Sequence, residues 1–254
     1  MSYTIAVAGK GGTGKTTLAA LIVETLKRKL LGPILAVDAD PNSTLGLHLG
    51  INCNRTVADI IEETKGLRNL PDGMDKPLYL EYQLQRVLVE NKGVDLLVMG
   101  RPEGPDCYCM ANNMLRGYME RIIKNYKYVV LDNEAGMEHL NRKTTQNIDT
   151  LFLVSDPTQI GLKTVKNIKE LIDKLTFLVI KNKYLVLNRV KNSIQNLEPA
   201  IKNVGVPLIG TLPFEEELTN LELAERPVSD LSDDSRLLKT ISEIITKIIP
   251  SDQK

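Results

Sequence analysis

Lys15 stands in the run Gly9-Lys10-Gly11-Gly12-Thr13-Gly14-Lys15-Thr16-Thr17, a match to G-x-x-x-x-G-K-[ST]. Each residue type serves phosphate chemistry. Gly9, Gly11, Gly12 and Gly14 let successive backbone N–H groups turn inward around an anion. Lys15 can reach the β- and γ-phosphates, and the Thr16 hydroxyl can ligate Mg²⁺. Thr13 and Thr17 complete the loop, so ATP and Mg²⁺ are the expected ligands of residues 9–17. Two acidic pieces could serve the same site. Val37-Asp38-Ala39-Asp40-Pro41-Asn42 places two carboxylates two residues apart, on one side of a strand end. Asp40 is the candidate for positioning an attacking water, and Asp38 for ordering water around Mg²⁺. An Asx turn or helix cap is the alternative for this pair. Val129-Val130-Leu131-Asp132 has the Walker-B form, in which Asp132 supports Mg²⁺. A third chemistry is offered by Cys107-Tyr108-Cys109, two thiols able to hold one soft metal ion.

These residues need a scaffold that brings them to one edge. Short apolar runs at Thr4–Ala8, Ile34–Val37, Asp95–Val98, Tyr128–Leu131, Leu151–Val154, Tyr184–Leu187 and Leu208–Leu212 read as strands covered on both faces. Helical patterns lie between them at 16–30, 110–125, 160–174 and 235–249. The alternation predicts a doubly wound α/β fold, a mostly parallel sheet with helices on both faces. Ligands of such sheets sit at the carboxyl ends of the strands. The strand Thr4–Ala8 runs straight into the glycine-rich loop and a helix follows, which is the context the phosphate-binding motif requires. Residues 50–106, with Pro71-Asp72-Gly73 and a Pro/Gly-rich piece at 100–105, break the rhythm. They are expected to elaborate one domain spanning 1–254.

Hydrophobic residues make up 43% of the 254 and charged residues 25%, a globular balance. Lys+Arg and Asp+Glu are 32 each, so the whole chain has no electrostatic bias toward nucleic acid, and close self-association is permitted. No secretory signal and no apolar run of about 20 residues is visible. The reading is a cytoplasmic protein with no membrane or nucleic-acid partner. Three cysteines do not make a secreted disulfide framework.

The loop Gly-Lys-Gly-Gly-Thr-Gly-Lys-Thr, with its second lysine at Lys10, resembles the deviant P-loop of the nitrogenase-iron-protein/MinD/ParA class of dimerising ATPases. The resemblance implies a face-to-face homodimer in which Lys10 crosses to the partner's nucleotide. It also implies that Asp40 is the water-positioning residue of a first switch. The Gly136 amide would then sense the γ-phosphate in a second switch, and Asn188 would recognise adenine. The Leu212-Pro213-Phe214 turn would cover the other edge of the base through Pro213. The second switch here reads Asp132-Asn133-Glu134-Ala135-Gly136 where many members have Asp-x-Pro-Ala-Gly, so Glu134 departs from the pattern.

A closed soft-metal site takes four ligands and one chain offers two sulfurs, so a twofold dimer would complete it with Cys107 and Cys109 from both chains. Cys53, His48 and His139 lack ligand spacing and read as structural. The Cys-x-Cys about two dozen residues before the Walker-B Asp, with Asp-x-x-Ala-Gly-x-Glu-His over Asp132–His139, resembles the CooC/AcsF family. That family comprises nickel-handling ATPases that mature carbon monoxide dehydrogenase and acetyl-CoA synthase. The resemblance implies Ni²⁺ (or Zn²⁺) at the Cys-x-Cys and an apo form of one of those enzymes as client. Two other readings share the P-loop. One is a positioning or partition ATPase of the MinD/ParA type acting on membrane or DNA, for which the apolar helix face Leu237, Leu238, Ile241, Ile244, Ile245, Ile248 and Ile249 could lie on a membrane. The same face more often packs on a sheet. The other is an electron-transfer protein with a cluster on the four thiolates.

Overall fold

The computed structural model describes residues 2–66, 70, 73–101, 109–134 and 147–249. Seven strands form one sheet: β1 (Tyr3–Gly9), β2 (Ile34–Ala39), β3 (Asp95–Val98), β4 (Tyr128–Asn133), β5 (Asn147–Ser155), β6 (Val179–Val190) and β7 (Leu208–Pro213). Their order is β3-β2-β4-β1-β5-β6-β7, and every pairing is parallel. From β1 the sheet grows outward through β4, β2 and β3 on one side and through β5, β6 and β7 on the other. A crevice therefore opens at the carboxyl end of β1, where the order reverses.

The helices are α1 (Lys15–Arg28), α2 (Leu45–Leu49), α3 (Val57–Gly66), α4 (Lys76–Gln85), α5 (Cys109–Ile123), α6 (Gln159–Asp173), α7 (Glu198–Val204), α8 (Glu216–Leu223) and α9 (Arg236–Ile248). Because side chains alternate along a strand, each central strand feeds two cores. Ile5 and Val7 of β1, Ile34 and Ala36 of β2 and Val130 of β4 pack with α1 and α9. Ala6 and Ala8, Leu35 and Val37, and Val129 and Leu131 face the opposite core, under α3, α4, α5, α6 and α7. The two-sided burial explains why these strands read as unbroken apolar runs.

The face of α9 is settled by this packing. Leu237, Leu238, Ile241, Ile244, Ile245 and Ile248 are all buried against the sheet. The Tyr3 hydroxyl donates to the Ile248 carbonyl at 2.8 Å and lies 2.8 Å from Thr150 Oγ1, fastening the end of α9 to β1 and β5. Among the described residues no helix is long and apolar enough to cross a membrane.

Within 50–106, Val57, Ile60 and Ile61 of α3 and Leu80 and Leu84 of α4 enter the same core as Leu97 of β3. The strand β6 is longer than its apolar center, Tyr184–Leu187, suggests. Its first half, with Lys181 and Lys183, is largely exposed while still pairing with β5, so pairing there is not accompanied by an apolar signal.

Candidate functional site

The chain leaves β1 at Gly9, whose backbone passes so close to β5 that a Cβ would lie 2.4 Å from the Val154 carbonyl oxygen. The loop then turns on itself, with the Thr13 hydroxyl donating to the Lys10 carbonyl at 2.8 Å. Gly14 has φ +86°, and a Cβ there would meet Asn188 Nδ2 at 2.3 Å. Both positions therefore require glycine. Gly14 caps α1 with no side-chain hydrogen bond to the first turn. The N–H groups of that turn are left for a ligand, and the helix dipole favours an anion. Lys15 is buried at 6% exposure beside this turn, while Lys10 is exposed.

A cleft of about 350 Å³ opens over the loop, lined by Gly12, Gly14, Lys15, Thr16, Thr17, Asp40, Asn42, Thr44, His48, Arg189 and Glu222. A larger groove of about 500 Å³ lies between α6 and α7. It holds none of the loop's glycines, so the phosphate chemistry belongs to the smaller cleft.

Asp38 and Asp132 are register partners on the adjacent strands β2 and β4, and both are fully buried. Asp38 accepts from the Asp40 N–H at 3.2 Å and the Leu45 N–H at 2.8 Å, so its carboxylate fastens the β2–α2 turn. Burial pushes its pKa up to about 6 against the pull of these two amides. Asp132 is the more exceptional group. Neither of its oxygens has a hydrogen-bond partner. Burial pushes its pKa up to about 7, and the neighbouring Asp38 adds to the rise. The Thr16 hydroxyl and Lys15 lie near enough to oppose the shift, although the hydroxyl is outside bonding geometry. An orphaned buried carboxylate beside the Thr16 hydroxyl fits Mg²⁺, which takes hard oxygen ligands and would relieve the desolvated charge.

This gives a stability prediction. The unfolded Asp132 releases its proton near 3.8 and the folded one near 7. The unfolded chain therefore binds fewer protons between these values, and stability falls as pH rises from about 4 to about 7. Asp132→Asn removes the buried charge. Without Mg²⁺ or nucleotide it is expected to be more stable than wild type at pH 8, on the order of 2 kcal/mol, with the difference gone below pH 4. Thermal melts at a series of pH values measure this, and a smaller slope of the same sign remains from Asp38. A variant no more stable than wild type at pH 8 would contradict the assignment.

Asp40 lines the cleft and accepts from both the backbone and the side-chain N–H groups of Asn42, each at 2.9 Å. Asn188 is buried at the end of β6. Its Nδ2 donates to the Thr13 carbonyl at 2.9 Å, and its Oδ1 accepts from the Arg189 N–H at 2.9 Å. Its amide thus holds the phosphate loop. Arg189, at φ +58° in an irregular β6–β7 pairing, donates to the Gly12 carbonyl at 3.1 Å. Pro213 ends β7. Phe214 follows, with its N–H on the Val190 carbonyl at 3.1 Å and the Lys191 ammonium 4.0 Å from its ring center.

Gly136 and Cys107 lie outside the described residues, as does His139, while Cys109 is the first residue of α5. Asn133 is buried and donates to the Val7 carbonyl at 3.1 Å, bracing β4 on β1 just before Glu134. Among the described residues no three His, Cys, Asp or Glu side chains cluster as a metal site.

Among the cleft residues not singled out from sequence for this site, three carry ionisable side chains. Arg189 follows Asn188, and a basic residue at a strand end carries no signal of a left-handed backbone. Glu222 sits on α8, whose Glu-Glu-Leu-Thr-Asn-Leu-Glu run lacks a strong apolar period. His48 is on α2, five residues long, and lines the cleft although its spacing matches no ligand motif.

The comparisons with known proteins agree with this geometry. The profile of the CobQ/CobB/MinD/ParA nucleotide binding domain matches residues 4–228. An uncharacterized ATP-binding protein of Methanocaldococcus jannaschii is 44% identical over 249 residues, 96% of this chain and 98% of the relative. The carbon monoxide dehydrogenase accessory protein CooC of Rhodospirillum rubrum is 28% identical over 240 residues, 90% of each chain. Among solved structures, the septum site-determining protein MinD of Pyrococcus horikoshii, complexed with Mg-ADP, superposes with a TM-score of 0.73 at 20% identity. That match covers 100% of this chain and 99% of the other. A glycine loop feeding an uncapped helix, an orphaned carboxylate beside its threonine and a profile match over most of the chain lead to one assignment: the chain belongs to the CobQ/CobB/MinD/ParA nucleotide-binding family of P-loop ATPases.

Proposed function

We propose that this ATPase is a dimeric metallochaperone that carries Ni²⁺, or Zn²⁺, on Cys107 and Cys109 and delivers it to carbon monoxide dehydrogenase or acetyl-CoA synthase. The observation that carries the reading is topological. β3 and β1 are parallel, so the segment leaving β3 and the loop leaving β1 emerge at the same edge of the sheet. That segment leads to α5, which opens at Cys109. A face-to-face dimer across this edge would bring together both phosphate loops and both Cys-x-Cys pairs. The 28% identity to the carbon monoxide dehydrogenase accessory protein CooC over 90% of each chain supports carbon monoxide dehydrogenase as the client. A membrane-positioning role of the MinD type has less support, since the apolar face of α9 is already covered by the sheet.

In the proposed cycle Lys15 neutralises the β- and γ-phosphates and the first turn of α1 holds their oxygens. Mg²⁺ held by Thr16, with Asp132 behind it, would supply charge neutralisation at the transferring phosphate. Asp40 orients the water, Lys10 reaches the partner's nucleotide, and the Gly136 amide senses the γ-phosphate. Asn188 and Pro213 flank the adenine, which requires Asn188 to serve the base while still holding Thr13. Hydrolysis relaxes the segments at Asp40 and Gly136 and loosens the ion for transfer.

Equilibrium dialysis with Ni²⁺ and with Zn²⁺, on wild type, Cys107→Ala and Cys109→Ala, tests the cargo site. The expected result is one tightly held ion per two chains in wild type, lost in either variant, with affinity falling as pH drops below the thiol range. One ion per chain, or full binding after either substitution, would rule out the shared site.

A further inference from the structure

Thr17 follows the Mg²⁺-binding threonine of the loop by one position in the first turn of α1. The residue lines the cleft over the glycine loop and is buried at 7% exposure. In the P-loop arrangement Lys15 and Thr16 serve the β- and γ-phosphate end. Thr17 lies one residue further along the same first turn and lines the same cleft, where the helix N-terminus favours a phosphate oxygen. In this structure the Thr17 hydroxyl donates to a carboxylate, Glu222 Oε1, at 3.1 Å. Glu222 comes from α8, an element beyond β7 and far away in sequence, and its side chain also lines the cleft.

A hydroxyl has one proton to donate. A phosphate oxygen and a carboxylate oxygen cannot both accept it, and two anions crowded on one donor repel each other. Glu222 therefore stands in a cleft built for anions as an anion itself, on a donor that the phosphate needs. His48 lines the same cleft, and its pKa, held down by burial, is pulled upward by Glu222.

We propose that Glu222 is a nucleotide-release residue whose carboxylate competes with a phosphate oxygen of the nucleotide for the Thr17 hydroxyl. It weakens retention of ADP and ATP alike, and it ties the position of α8 to the occupancy of the cleft. Glu222 is a positioning residue: it acts through Thr17 and touches no reacting atom. Its chief consequence is for product. ADP lacks the γ-phosphate contacts of ATP, so competition at the Thr17 hydroxyl is a larger share of what decides how long ADP stays.

The test is stopped-flow dissociation of a fluorescent ADP from wild type, Glu222→Gln, Thr17→Val and the double variant. Equilibrium affinity for ATP is measured on the same four proteins. Glu222→Gln keeps the shape and removes the charge, and it is expected to release ADP about tenfold more slowly and to bind ATP tighter by a similar factor. On the Thr17→Val background, Glu222→Gln is expected to change nothing, because the shared donor is gone. A merely structural Glu222 would give weaker or unchanged binding in Glu222→Gln, and either result overturns the proposal. An equal gain with and without the Thr17 hydroxyl also overturns it, assigning the effect to bulk charge.

Discussion

Lys15→Ala is expected to lose tight nucleotide binding, with affinity for ATP falling about 100-fold or more. The side chain is buried at the first turn of α1, at 6% exposure, in the cleft that takes the phosphates. A charge-assisted contact to a desolvated phosphate is worth about 2–4 kcal/mol, and truncation also leaves the anion without its nearest cation. Backbone N–H groups of the loop and Arg189 remain, but Arg189 is already engaged with the Gly12 carbonyl. The internal control is Lys10→Ala. Lys10 is exposed and its backbone carbonyl, not its ammonium, holds the loop together. That variant should keep nucleotide affinity in the monomer. Isothermal titration of both variants separates the two lysines, and near-normal ATP affinity in Lys15→Ala would overturn the assignment of the loop.

Asp40→Asn is expected to bind Mg·ATP with near wild-type affinity and to hydrolyse it about 100-fold more slowly or worse. The amide preserves the size of the side chain and the Oδ1 that accepts from Asn42. It loses the negative charge that, in the proposed cycle, orients and polarises a water, and removing such a group typically costs a factor of about 10²–10⁴. Single-turnover hydrolysis at saturating ATP isolates this step from binding. A rate within threefold or so of wild type would shift the role to Glu134, since both oxygens of Asp38 are engaged by backbone amides.

The strands were the most legible part of the chain, and all seven expected runs are strands of the one sheet. Their two-sided burial demands unbroken apolar residues, which sequence displays directly. Elements stabilised by other means were harder to read. The helix α3 begins on a reciprocal pair in which Thr56 Oγ1 accepts from the Asp59 N–H and Asp59 Oδ2 accepts from the Thr56 N–H. That is a start signal of ordinary polar residues inside a segment whose sequence reads only as loosely helical. The short helices α2, α7 and α8 give too few turns for a periodic pattern.

At the site, the loop residues were legible because their chemistry is local in sequence. Asp132 was legible because apolar residues lead into it. The geometry that distinguishes Asp38 from Asp132 was not. Both end an apolar strand, and only the neighbouring backbone decides which one has its oxygens satisfied. Glu222 reaches Thr17 across 205 residues, a pairing no spacing rule anticipates.

The grip of β6 on the phosphate loop bears on the thermodynamics of binding. Asn188 holds the Thr13 carbonyl and Arg189 holds the Gly12 carbonyl, so a glycine-rich segment is fixed by the end of a strand. Its conformational entropy is lost when the chain folds and not when nucleotide arrives. A ligand meeting such a loop has little ordering left to impose, so encounter need not wait on a slow rearrangement of the loop.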